Sequence, residues 1–291
     1  MHDSFSFEAI GTHWQIDFAS QLSPATQHQI LTQLQQRIHQ FDQDYSRFRN
    51  DSLIMKLNTK AGRWKMPPDF GPLFSLYHQL YPLTTGKFTP LIGQALVDAG
   101  YDAQYTFKPH SQLKPPPNFE ALQWNSPYLI LSQPVLLDFG AAGKGYLIDL
   151  VAQVLKDYQI THFTIDAGGD ILHTSPTPLR IGLENPQNFD QALGVVTLSP
   201  NRSLAGSAGS RRKWGNYHHI LDPETLTSPT NILATWVIAD SALRADALAT
   251  CLFFTSPTIL QSTFDFEYLM LYPDFSITRS KNFPGELFIK N

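Results

Sequence analysis

Strand-like segments come in runs along this chain, and helical stripes fall between the runs instead of after every strand. That order favours an α+β fold, with mixed or antiparallel sheets flanked by helices, over a doubly wound parallel sheet in which each strand needs a crossover helix. The chain enters strand-like alternation at once (SFSFEAIGTHWQIDF). Ser23-Pro24 then makes a helix start, Pro at the first position wasting no donor, and Ile30, Leu31, Leu34, Ile38 and Phe41 follow a helical stripe. A second stripe runs through Phe70, Leu73, Phe74, Tyr77, Leu80 and Tyr81. Strand composition is found at residues 128–131, 135–139, 163–166, 179–183, 193–198, 217–221, 235–239, 268–272 and 275–278. Helices are expected at 146–158 and at 241–254, the latter capped by Asp240-Ser241. Residues 108–127 carry Pro109, Pro115, Pro116, Pro117 and Pro127, too many fixed φ angles for regular structure. The chain therefore reads as a single domain over residues 1–291, any division into two lobes falling at this connection.

Composition narrows the function classes. With 21 Lys+Arg against 25 Asp+Glu the net charge is −4, so no basic field is available for a nucleic-acid backbone. At 42% hydrophobic residues over 291 positions there is ample material for a core. No apolar run approaches the roughly 18 residues of a transmembrane helix, and the N-terminus has neither a basic n-region nor an apolar h-region. As written the chain reads as soluble, either cytoplasmic or exported with its signal peptide gone. The single cysteine, Cys251, makes no internal disulfide and leaves the compartment open.

Three segments offer chemistry. VLLDFGAAGKGYLIDLVAQVLKDY is strand, glycine-rich turn and helix, an order that aims backbone N–H groups and the positive end of a helix dipole at one point. Gly140, Gly143 and Gly145 allow close approach of a phosphate and Lys144 adds a cation; a tight strand-to-helix connection without a ligand accounts for the segment equally well. Neither the Walker A spacing nor the dinucleotide fingerprint is met. On the helix SALRADALATCLFF, Asp246 and Thr250 are the only polar residues from 245 to 254, and four residues apart they share a face. A carboxylate and a hydroxyl are hard oxygen ligands of the kind Mg²⁺ accepts, with water and phosphate completing its shell. The bland alternative has Thr250 bonding back to its helix and Asp246 meeting an arginine such as Arg244 at the surface. His218 and His219 are adjacent, so on a strand at most one faces a site, and their spacing to other ligands is not that of zinc. By itself Asp166-Ala167-Gly168-Gly169-Asp170 is a Gly-Gly hairpin turn flanked by acids.

Taken in order, these pieces resemble the ApbE family of FAD:protein FMN transferases. Ile10-Gly11-Thr12-His13-Trp14 is similar to the family's Met-Gly-Thr-x-Trp, and Tyr45-Ser46-Arg47-Phe48 with Asp51-Ser52 and Asn58 to its Phe-Ser-x-Tyr…Ser-Glu…Asn stretch. Gly86-Lys87-Phe88-Thr89-Pro90 looks like Gly-x-Phe-Asp-Pro. Leu137-Asp138-Phe139-Gly140-Ala141-Ala142-Gly143-Lys144-Gly145-Tyr146 resembles Leu-Asp-Leu-Gly-Gly-Ile-Ala-Lys-Gly-Tyr, and residues 166–170 resemble Asn-Ala-Gly-Gly-Asp. His219-Ile220-Leu221-Asp222-Pro223-Glu224-Thr225 looks like His-Ile-Ile-Asp-Pro-x-Thr-Gly, and Ala245-Asp246-Ala247-Leu248-Ala249-Thr250 matches Ala-Asp-Ala-Leu-Ala-Thr. Each motif is weak alone, but seven in order over about 240 residues are specific.

The resemblance implies an ApbE-like (T-fold-like) architecture. It also implies an enzyme that binds FAD, uses Mg²⁺ at the diphosphate, and transfers FMN to a Thr or Ser hydroxyl of an acceptor protein with release of AMP. An FAD diphosphatase giving FMN and AMP, or a flavin-binding protein without catalysis, are the alternatives. Carried over by motif, Ala141, Asp246 and Thr250 would be metal ligands, Asp246 also serving catalysis. Ile10, Phe48, Lys87, Phe88, Thr89, Asp138, Lys144 and Thr230 would contact FAD, and His219 would be the base acting on the acceptor hydroxyl. Ile10, Thr89, Gly143 and Leu226 depart from the family's Met, Asp, Ala and Gly at these places, and the family's Thr-Ser-Gly-Asp-Tyr region appears as residues 206–211.

Overall fold

A computed structural model describes residues 3–288. Its elements run β1 (Ser4–Ala9), β2 (Thr12–Phe18), α1 (Pro24–Tyr45), α2 (Leu53–Leu57), β3 (Gly62–Lys65), α3 (Phe70–Leu83), α4 (Gly93–Asp98), β4 (Leu122–Asn125), β5 (Tyr128–Leu131) and α5 (Gly143–Asp157). The second half continues with β6 (Phe163–Ala167), β7 (Asp170–His173), β8 (Leu179–Asn185), β9 (Asn188–Leu198), β10 (Arg202–Ala208), β11 (Lys213–Trp214), β12 (Tyr217–His218) and β13 (Ala234–Ala239). It ends with α6 (Ala242–Cys251), α7 (Pro257–Gln261), β14 (Glu267–Leu271), β15 (Ile277–Arg279) and β16 (Gly285–Leu287). The fold is α+β: an eight-stranded sheet in the order β1-β2-β6-β7-β10-β13-β14-β15, antiparallel at every pairing, with smaller sheets β16-β9-β8, β3-β5-β4 and β11-β12. No helix among the described residues is long and apolar enough to cross a membrane.

The centre of the large sheet is covered on both faces, and β13 shows how. All six of its residues are buried. Alternate side chains point to opposite faces of a strand, so Ala234, Trp236 and Ile238 join the cluster under the β16-β9-β8 sheet while Val237 and Ala239 join the main core beneath the helices. Thr235, on the helix side, donates its hydroxyl to the Ala249 carbonyl of α6 at 2.7 Å. On that side α6 lies across β10 and β13, and α5 packs against both α6 and α1.

The crossing of α5 and α6 is unusually close, and glycine is the reason. A Cβ on Gly145 would stand 2.1 Å from the Ala242 carbonyl oxygen and 2.7 Å from the Cβ of Asp246. Each helix also supplies a carboxylate to the other's open N-terminal donors. Asp149 of α5 accepts from the Ala242 and Leu243 N–H groups at 3.0 and 2.9 Å, and Asp246 of α6 accepts from the Gly145 N–H at 2.9 Å. Four N–H groups are left over at any helix start, and carboxylates there are favoured by the dipole.

Several expected elements are corrected. Residues 135–139 form no strand; Val135, Leu136, Leu137 and Phe139 are buried in the main core as an extended connection, and the Asp138 N–H bonds to the Pro90 carbonyl at 2.7 Å. A short apolar run looks the same whether a sheet or a helix layer covers it. Of residues 217–221 only Tyr217–His218 is strand, because Asp222 draws the chain into a turn, its Oδ1 accepting from the Glu224 and Thr225 N–H groups at 2.9 and 3.3 Å. Residues 108–127 are irregular as expected up to a 3₁₀ turn at Phe119–Ala121 and the short β4. Helix α5 starts three residues early, at Gly143, and α6 stops at Cys251. No sequence signal marks β10, since RSLAGSA lacks the β-branched and aromatic residues typical of strands.

Two glycines of one turn predict opposite outcomes. Gly145→Ala forces α5 and α6 apart and should lower stability by about 1–3 kcal/mol, the usual cost of overpacking. Gly143→Ala meets only ordinary contacts at 3.8 Å and should be neutral or slightly stabilising. Urea midpoints of both variants measure the difference; equal midpoints would contradict the close-crossing argument.

Candidate functional site

A cleft of about 880 Å³ opens where the α5–α6 crossing, β10 and the loops before α4 and after β12 converge. That is the upper part of the size range of small-molecule and cofactor sites. Phe48, Lys87, Phe88, Thr89, Asp138, Ala141, Lys144, His219, Asp246 and Thr250 all line it. Residues from five distant stretches of the chain are thus brought to one place. Two of the sequence-derived residues are not: Thr230 is exposed and outside the lining, and Ile10 lies beside it, on the two-residue β1–β2 turn whose neighbours Gly11 and Thr12 do line the cleft. Ile10 has φ 44° and Gly11 φ 76°. Paired left-handed residues suit a tight hairpin, but a β-branched side chain adopts that conformation only under strain.

The polar floor is built from α5, α6 and β7. Asp246 is buried and does not meet Arg244, which pairs with Asp240 at 2.6 Å. Thr250, one turn on, has its hydroxyl 3.2 Å from that of Ser207 on β10. Asp170 is buried at the start of β7, its Oδ1 accepting from the Gly206 N–H at 3.2 Å. Its Oδ2 forms an ion pair with Lys144 Nζ at 2.9 Å. Of the two buried carboxylates only Asp170 is in an ion pair with Lys144, and Asp246 feels that ammonium through its charge alone. Burial, reinforced by Asp170, holds the Asp246 carboxyl above the usual carboxylate range; burial does the same to Asp170, against the pull of Lys144.

Asp138 is aimed by its neighbours. Its Oδ1 accepts from the Gly140 N–H at 2.7 Å, and its Oδ2 accepts from Nε of the buried Arg47. Arg47 also donates to the Tyr101 carbonyl at 2.6 Å and lies 4.2 Å from the centre of the Phe48 ring, so one guanidinium behind the cleft fastens three lining residues. Sequence reasoning missed it; an arginine in a loop gives no signal of burial. Lys87 pairs with Asp222 at 2.7 Å and Glu224 at 3.3 Å, and the hydrogen bond it donates to Asp222 raises its pKa. Phe88 is mostly core, stacked on Tyr77 at 4.6 Å, while Thr89 accepts from the Leu91 N–H at 3.2 Å and starts a 3₁₀ turn.

The two histidines separate where β12 ends, His218 being its last residue and His219 the first beyond it. His218 turns inward and bonds to the Pro229 carbonyl at 2.9 Å, whereas the ring of His219 lines the cleft. Burial, then the charge of Arg212, push the His219 imidazole down to about 3, so it is neutral at physiological pH; its Nδ1 is buried without a partner.

The donor set at the floor fits Mg²⁺. One oxygen of Asp246, the Thr250 hydroxyl and the Ala141 carbonyl are hard oxygen ligands, and the excess of buried negative charge on Asp170 and Asp246 over Lys144 is what a cation relieves. No group of three or more His, Cys, Asp or Glu side chains among the described residues is arranged to hold a metal.

Comparison with known proteins follows the same residues. Residues 10–266 match the model of the ApbE family. An FAD:protein FMN transferase of Treponema pallidum is 24% identical over 300 residues, spanning 91% of this chain and 83% of its own; another from Vibrio cholerae is 24% identical over 260 residues, spanning 83% and 78%. In structure, the ApbE protein of Thermotoga maritima is similar with a TM-score of 0.82 at 21% identity, covering 98% of this chain and all of that one. A histidine-to-glycine variant of the Vibrio cholerae flavin transferase ApbE gives 0.81 at 19% identity, with 97% and 98% covered. The family match begins at the strained turn at the cleft's edge and takes in every lining residue named above, and on that evidence the chain belongs to the ApbE family.

Proposed function

We propose that this protein is a Mg²⁺-dependent flavin transferase that takes FMN from FAD, attaches it to a Thr or Ser hydroxyl of an acceptor protein, and releases AMP. The observation that carries the reading is the floor of the cleft: Asp246 and Asp170 buried together against the single ammonium of Lys144, at the glycine turn that opens α5. The names of the relatives point to the same donor and the same kind of acceptor.

The roles follow from the chemistry of the residues. The turn at residues 140–145 and the Lys144 ammonium receive the diphosphate, while Asp246, Thr250 and the Ala141 carbonyl would hold the metal. When bound, Mg²⁺ supplies charge stabilisation at the bridging and leaving phosphate oxygens. Phe48, Lys87, Phe88, Thr89 and Asp138 flank the rest of the dinucleotide, with Ile10 and Thr230 as outer contacts. His219, neutral at physiological pH, has a lone pair available for the acceptor hydroxyl. As the hydroxyl oxygen bonds to the flavin-side phosphorus, its proton passes to the imidazole, the phosphoanhydride bond breaks, and AMP departs with the bridging oxygen. Transfer of this kind depends on positioning and charge stabilisation more than on covalent steps by the protein.

Incubation with FAD and Mg²⁺, with and without a protein presenting an exposed Thr or Ser, distinguishes the outcomes. Covalent flavin on the acceptor with stoichiometric AMP is the expected result. Free FMN plus AMP without covalent flavin would identify a diphosphatase, and unchanged FAD a binder.

Asp246→Asn keeps an oxygen for the Gly145 N–H and removes the charge. AMP release should fall at least about 100-fold, reflecting several kcal/mol of transition-state stabilisation, while the melting temperature stays close to that of the parent. Normal turnover in this variant would locate the metal elsewhere.

His219→Ala should slow transfer by about 10²–10⁴-fold, the range of a general base, with FAD affinity nearly unchanged. A second readout is pH. Unfolded, the imidazole titrates near 6.5, and in the fold near 3, so between those values the unfolded chain binds the additional proton and stability rises with pH. Wild-type stability should therefore drop as pH is lowered from 7 to 4, and His219→Gln should flatten that drop; parallel curves would mean that the ring is protonated in the fold.

A further inference from the structure

We propose that Arg212 is the cleft's free cation for the phosphates of the dinucleotide, a binding residue that no family motif quoted above includes. The inference rests on the flavin-transferase reading of the site. Four Lys and Arg side chains line the cleft. Three are already neutralised: Lys144 by Asp170 at 2.9 Å, Lys87 by Asp222 at 2.7 Å, and Arg211 by Glu184, with the Arg211 Nε 3.0 Å from a carboxylate oxygen. Arg212 is exposed and, among the described residues, its side chain makes no ion pair, hydrogen bond or ring contact.

That asymmetry matters for an anionic ligand. A paired cation must exchange a carboxylate for a phosphate, and much of the gain is spent on the carboxylate it abandons. An unpaired guanidinium gains its charge-assisted, fork-shaped hydrogen bonds in full. The position is also suitable. The Arg212 carbonyl accepts from the His219 N–H at 3.2 Å, so its backbone is tied to the residue that faces the acceptor hydroxyl. Arg212 and His219 line the same cleft, and the charge of Arg212 acts on that imidazole. Its local sequence, AGSRRKWG, offers no clue to which of two adjacent arginines is free; Glu184, 27 residues away, decides that by taking Arg211.

The test is the dissociation constant of FAD in Mg²⁺, read by flavin fluorescence at low and at moderate salt, for the wild type, Arg212→Gln, Arg212→Lys and Lys213→Gln. Arg212→Gln should weaken FAD more than fivefold and make its affinity less salt-dependent, since an exposed charge is screened by salt. Arg212→Lys should recover part of the loss, and Lys213→Gln, which removes the neighbouring charge outside the cleft, should change affinity less than twofold. A loss below fivefold for Arg212→Gln, or an equal loss for Lys213→Gln, overturns the assignment. If the wild type itself fails to bind FAD, the flavin-transferase reading falls and this inference with it; if the wild type binds and Arg212→Gln binds equally well, only this inference falls.

Discussion

The approach of α5 to α6 at Gly145 is the contact on which the site depends. No side chain other than hydrogen fits where the Ala242 carbonyl and the Asp246 Cβ face the turn. The closeness lets the Asp246 carboxylate reach the Gly145 N–H and the Asp149 carboxylate reach the Ala242 and Leu243 N–H groups. Each helix start is thus satisfied by the other helix, and separation would leave donors unpaired on both. The same geometry sets Asp246 at the edge of a phosphate-sized turn. Packing, capping and the proposed chemistry share one pair of helices.

Around that crossing the cleft is arranged as a set of matched charges. Asp138 is held by Arg47, Lys87 by Asp222, Lys144 by Asp170 and Arg211 by Glu184. Pairing of this kind removes the cost of burying lone charges and fixes side chains in place before a ligand arrives. The departures from neutrality are informative: one carboxylate too many on the floor, at Asp246, and one guanidinium too many at the mouth, at Arg212. A diphosphate with its cation complements both.

The motifs most visible in the sequence are those whose meaning is local. Ser23 before Pro24, whose hydroxyl accepts from the Thr26 N–H at 3.1 Å, and Ser241 before α6 are helix starts that any chain context would respect. The Gly168-Gly169 turn joins β6 to β7, both glycines at positive φ, as its composition requires. The run at 135–139 and the strand β10 depart from what their composition suggests for complementary reasons. The first is apolar because helices and loops surround it, and the second is built of small residues because Gly206 and Ser207 floor the cleft while α6 lies on the strand. In both, side-chain composition reports what covers the segment and not its backbone conformation.

The α+β class, the family and the chemical types of most cleft residues are legible in the chain alone, since helix caps, turn glycines and ordered short motifs are written in contiguous residues. Which charges are already neutralised emerges from the folded packing. Arg47 and Asp138 are 91 residues apart, Lys87 and Asp222 are 135 apart, and Gly145 and Asp246 are 101 apart. Whether a charged group is free to act depends on the partner that folding sets beside it. That partner is chosen by the packing of helices and sheet, which no local stretch of sequence encodes.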